Sequence, residues 1–66
     1  MLGDAIAAFE YGVKMVPKDE LLYMNLGRTY IKLGDRAKAR ETMLKLLEQK
    51  PDSAAAAKAL RELEVR

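Results

Sequence analysis

The chain has 66 residues, with 12 Lys and Arg against 10 Asp and Glu, for a formal charge of +2. A length like this holds one small domain with a modest core. Cysteine and histidine are both absent, which excludes a disulfide framework, a thiolate zinc site, a thiol nucleophile and the commonest general base.

The basic excess, with a pI of about 9.0, is spread along the chain. No block of like charges points to nucleic acid or to an anionic membrane. No apolar run approaches the ~20 residues of a membrane span. The opening Met1-Leu2-Gly3-Asp4 lacks the basic head and long apolar core of a signal peptide. With no signal peptide or membrane span visible, a cytoplasmic location is expected, and the missing thiols fit a reducing compartment.

In chain order, residues 1–19 read as a helix. Gly3-Asp4 looks like a turn with a helix cap. Ala5, Phe9, Gly12 and Val13 then share one face, with Ile6 and Val16 at its edges. Pro17 ends it, and Asp19 is the expected cap of the next helix.

The second helix is expected over Glu20 to Leu33. Tyr23, Leu26, Gly27 and Tyr30 fall at i, i+3, i+4 and i+7, on one face. Glycine inside a helix costs about 1 kcal/mol against alanine. That cost makes sense if another helix passes very close, and Ala39 is the expected small partner. The opposite face carries Leu21, Met24, Asn25, Arg28 and Lys32, while Leu22 and Leu33 are assigned to contacts with adjacent helices.

Gly34 should end this helix in a left-handed conformation, and Asp35 should cap the third. Met43, Leu46 and Leu47 continue the inward face begun at Ala39. Pro51 stops the third helix, and Asp52 is the expected cap of an alanine-rich fourth.

The segment 20–53, with Tyr23-x2-Leu26-Gly27-x2-Tyr30, then Ala39-x3-Met43, then Pro51, resembles one complete tetratricopeptide repeat. An offset of 34 residues lays the opening stretch over the later one: Ala5 on Ala39, Phe9 on Met43, Val13 on Leu47, Pro17 on Pro51. Residues 1–19 then resemble the second helix of a repeat whose first helix is absent. In 54–66, only Leu60 keeps the pattern well. Arg61 stands at the glycine position, and Ala57 and Glu64 at the aromatic and tyrosine positions. This segment resembles the solvating helix that caps repeat arrays, apolar through Ala56, Leu60 and Leu63 and charged through Arg61, Glu62 and Arg66. The expected fold is an all-α, tetratricopeptide-like fragment of four antiparallel helices forming one domain.

What the resemblance implies is protein–protein interaction. The first helix of each repeat usually lines a concave groove, which makes Leu21, Met24, Asn25, Arg28 and Lys32 the candidate contacts for a partner peptide or helix. Leu21 and Met24 would take an apolar side chain, and Arg28 and Lys32 a carboxylate. The competing reading packs Leu21 and Met24 on neighbouring helices and leaves Arg28 and Lys32 solvated. Asn25 matches the central asparagine of a chaperone-tail clamp, but Ala55 and Ala59 stand where that clamp needs lysine and arginine.

A second reading is homo-oligomerisation, with a homodimer as the simplest product. Ile6, Phe9, Val13 and Val16 would lack part of their usual cover: either the chain is cut from a longer array, or a second copy supplies the cover. Nucleic-acid binding, the third reading, is disfavoured because Arg36, Lys38, Arg40 and Lys45 are interrupted by Glu41 and Glu48. Catalysis is not expected. Ser53 has no histidine to activate it, no carboxylates are obviously paired in a pocket, and no glycine-rich phosphate loop occurs. Neither a cofactor nor a metal is expected.

Overall fold

A computed structural model describes residues 2–64. Met1, Val65 and Arg66 lie outside the described residues, including the charged position assigned to Arg66. Four helices follow one another: α1 (Leu2–Met15), α2 (Glu20–Lys32), α3 (Arg36–Gln49) and α4 (Ala54–Glu64). Their substantial interfaces join α1 to α2, α2 to α3 and α3 to α4. The result is a flat stack of 27 × 27 × 13 Å.

Local chemistry sets the boundaries. Asp19 accepts from the Leu22 N–H at 3.3 Å, and Asp35 accepts from the Lys38 N–H at 3.0 Å, so both cap as expected. Gly34 adopts φ +82°, the left-handed turn that ends α2 at little steric cost.

Two boundary expectations fail. Helix α1 already includes Gly3 and Asp4, so they form its first turn and not a preceding cap. Asp4 there sits at the positive end of the helix dipole. At α4 the cap is Ser53, not Asp52. Its hydroxyl accepts from the Ala56 N–H at 3.1 Å and donates to the Glu20 carboxylate at the start of α2. Asp52 lies in the turn before it.

The core has two adjoining parts. Tyr23, Leu46 and Ala56 form one, with Val13, Met24 and Leu47 against it. Leu26, Tyr30 and Ala39 form the other, with Ile6, Phe9, Val13 and Leu63 against it. Ala39 and Leu46 are wholly buried and Met43 is 2% exposed, so the inward face of α3 is as the spacing predicts.

The close approach at Gly27 has a different partner from the one expected. A β-carbon there would meet the tip of Met43, and no atom of Ala39 comes within 4 Å of that point. Ala39 instead packs with Leu26 and Tyr30. Leu22 does reach a neighbouring helix, lying over Gly12. Leu33, just beyond the end of α2, is 51% exposed.

Candidate functional site

The face of α2 turned away from α1 meets α4 across a small hollow of about 120 Å³. Met24, Arg28 and Ile31 form one wall, and Ala59, Glu62 and Leu63 the other, with Gly27 and Met43 between them. The hollow exists because small residues stand where the helices approach: Gly27 on α2 and Ala59 on α4. Among the described residues, no group of His, Cys, Asp and Glu is clustered to hold a metal ion.

Of the five candidate contacts, Met24 and Arg28 line this hollow. Met24 is half-buried against the Tyr23–Leu46–Ala56 cluster, so part of its surface belongs to the core. Arg28 is exposed and donates through Nη2 to Asn25 Oδ1 at 2.6 Å. Asn25 thereby holds the guanidinium in place. Leu21 is 65% exposed and Lys32 is also exposed, and neither lines the hollow.

The sequence reading missed Ile31, Glu62 and Leu63. Ile31 is 46% exposed at the rim. Glu62 occupies on α4 the place of Arg28 on α2 under the 34-residue offset, so the internal repeat carried a signal for it. A negative group therefore shares the hollow with the guanidinium.

A larger concavity, about 590 Å³, lies on the other side of α2, between α1 and α3. Tyr23, Leu26 and Tyr30 floor it, but all three are buried. Its walls mix Glu10 and Glu41 with Lys14, Lys38 and Lys45, which gives no strong preference of charge. The Tyr30 hydroxyl is already engaged, donating to Glu10 at 2.5 Å. That bond, then burial, then the charges of Glu10, Asp35 and Glu41 push its phenol up to about 12. Burial, followed by the charge of Glu48, also raises the Tyr23 phenol.

Among the self-association candidates, Ile6, Phe9 and Val13 are half-buried against the Leu26–Tyr30–Ala39 cluster, while Val16 is 51% exposed. No residue of α1 is fully buried. No helix among the described residues is long and apolar enough to cross a membrane.

Antiparallel helix pairs that repeat at a fixed offset, with a hollow between alternate helices, define an all-α helical-repeat protein. The chain belongs to the tetratricopeptide repeat family, whose model matches residues 1–63. Repeats of this family commonly mediate protein–protein interaction. No curated protein and no solved structure gives a significant match.

Proposed function

We propose that the chain is a non-catalytic interaction module that holds a peptide or helix of a partner along the α2–α4 side and so helps scaffold a complex. One observation carries this reading: an apolar hollow with a pre-oriented guanidinium at its edge, Arg28 held by Asn25. An apolar side chain of the partner would enter beside Met24, Ile31 and Leu63. A carboxylate on the partner would pair with Arg28, with Lys32 adding charge farther along and Leu21 extending the apolar contact. Glu62 would disfavour a second acidic residue at the hollow itself.

In this reading the domain spans 1–66. Residues 1–19 are the second helix of a partial repeat, 20–53 a full repeat and 54–66 a cap. A cytoplasmic location fits the absence of cysteine.

The test is capture on an immobilised library of peptides that combine an apolar anchor with an acidic residue. Arg28→Glu combined with Ile31→Ala should abolish capture at unchanged helicity. Both side chains are exposed, so the core is spared. Capture equal to that of the unaltered chain would sink the groove reading.

A second reading is homo-oligomerisation through α1, for which Ile6, Phe9, Val13 and Val16 are the candidates. The observation favouring it is apolar exposure: Leu2, Tyr11, Met15 and Val16 are 37%, 65%, 62% and 51% exposed. Sedimentation of the chain over a range of concentrations tests it, and a monomer throughout would remove it.

A further inference from the structure

The offset of 34 sets Arg28 of α2 and Glu62 of α4 at equivalent places on two helices that both open a repeat. Their charges are opposite, and both side chains line the same hollow of about 120 Å³. Each is exposed. Yet they do not pair: the ion pairs among the described residues are Arg40–Glu64 and Lys50–Glu20. The Arg28 guanidinium is committed to its own helix, donating to Asn25 Oδ1 at 2.6 Å. The hollow is therefore a dipolar site, with a cation on one wall and an anion on the facing one.

Size limits what enters. An apolar cavity of roughly 150 Å³ holds one benzene, so this hollow takes a single branched aliphatic side chain, such as leucine. A segment seated there covers both charged groups and strips part of their water. A partner with an acidic residue alone compensates Arg28 and leaves Glu62 desolvated, which is costly. A partner with one acidic and one basic residue compensates both. Lys32 and Lys58 each lie one turn from these groups, on α2 and α4, and neither lines the hollow. Arg28 and Glu62 are thus the charges that an entering side chain meets first.

One hollow between two charges suits an extended segment better than a helix. An amphipathic helix docks through a stripe of anchors at i, i+3, i+4 and i+7, and this hollow accommodates one. In an extended chain, residues two apart point the same way. An anchor at i then has neighbours at i−2 and i+2 on its own side, about 13 Å apart. Neighbouring helix axes lie about 10 Å apart, so each neighbour reaches one helix.

We infer that the α2–α4 hollow selects an extended segment with a leucine-like anchor, an acidic residue two places to one side and a basic residue two places to the other. The acidic residue pairs with Arg28 and the basic one with Glu62. This rests on the groove reading above and specifies the partner that the groove takes. Asn25 orients Arg28 in advance, so that pair is the stronger, and Glu62 sets the discrimination.

Fluorescence anisotropy of labelled peptides on the intact chain tests this. The peptides carry Glu-Ser-Leu-Ser-Lys, its reversed order, Glu-Ser-Leu-Ser-Glu or Lys-Ser-Leu-Ser-Lys. The tighter dipolar peptide should bind about threefold or more better than either like-charged one at low salt, and the advantage should shrink at about 0.5 M salt. With Glu62→Arg the doubly acidic peptide should become the best ligand. With Arg28→Glu the doubly basic peptide should. Both side chains are exposed, so circular dichroism should be unchanged.

Dipolar and doubly acidic peptides that bind equally, with Glu62→Arg changing neither, would overturn the dipolar selection and leave the groove reading standing. Tighter binding by a peptide whose Glu and Lys stand four places from the leucine, a helical spacing, would overturn the extended form. Binding that survives Arg28→Glu combined with Ile31→Ala would place the peptide elsewhere and overturn both readings. Absence of binding by every peptide up to about 1 mM chain would do the same.

Discussion

A β-carbon placed on Gly27 of α2 would stand 2.7 Å from the Cε methyl of Met43 on α3 and 3.9 Å from its sulfur. The obstruction is the far end of a flexible thioether, and both residues border the 120 Å³ hollow beside α4. The methyl has space to move.

Gly27→Ala should therefore leave stability within about 1 kcal/mol of the original. The gain in helix propensity offsets the displacement of one methyl. Gly27→Val adds branching that the swing cannot accommodate, and should cost more than about 2 kcal/mol. Urea unfolding followed by circular dichroism measures both. A loss above about 2 kcal/mol for the alanine variant would show that Met43 is fixed.

Ser53 ties two helix starts together, accepting from the Ala56 N–H and donating to Glu20. Glu20 also lies 4.0 Å from Lys50, a partly exposed pair that contributes little by itself. Ser53→Ala should cost about 1–2 kcal/mol, through loss of the cap and of the link to α2. Asp52→Ala should cost less than about 0.5 kcal/mol, as expected for an exposed turn residue. Equal losses for the two variants would contradict this assignment of the cap.

Much of the fold was legible in the sequence because it is local. Asp19, Asp35 and Gly34 act within three or four residues of themselves, and spacing identifies them. Asp52 and Ser53 show where that approach stops. Both are good capping residues, they are adjacent, and no period chooses between them. At Gly27 the spacing gave the face but not the partner. The stagger of antiparallel helices decides which side chain lies opposite, and Met43 is one turn beyond Ala39. Of the candidate groove, Met24 and Arg28 were read from the sequence, whereas Ile31 was not. It lies seven residues after Met24 and three after Arg28, so helical spacing puts it on their face, and the reading of α2 by its repeat motif passed over it. The polar ties across helices, Tyr30 to Glu10 and Arg36 to the Leu63 carbonyl, join residues far apart in sequence and left no local trace.

Tyr30 gives the fold a dependence on alkaline pH. Its phenol is raised from 10.0 to about 12, first by the hydrogen bond to Glu10. Below about pH 10 the phenol is protonated in both folded and unfolded chains, and its contribution is fully present. Between about 10 and 12 the unfolded chain ionises first, so stability falls, by about 2–3 kcal/mol at most. Tyr30→Phe should lower stability by about 1 kcal/mol at neutral pH and remove part of the alkaline decline. Urea midpoints of both proteins at about pH 9 and about pH 11.5 make the comparison. Parallel declines would assign the effect to other groups.

Because each helix leans chiefly on the ones next to it in sequence, the chain behaves as links in series. Damage at one link stays local, and the two inner rods, supported on both sides, outlast the outer two. A clamp on α1 therefore stiffens α2 first, and from α2 it reaches α4 by two routes, through α3 and through the Ser53–Glu20 link that joins their first turns.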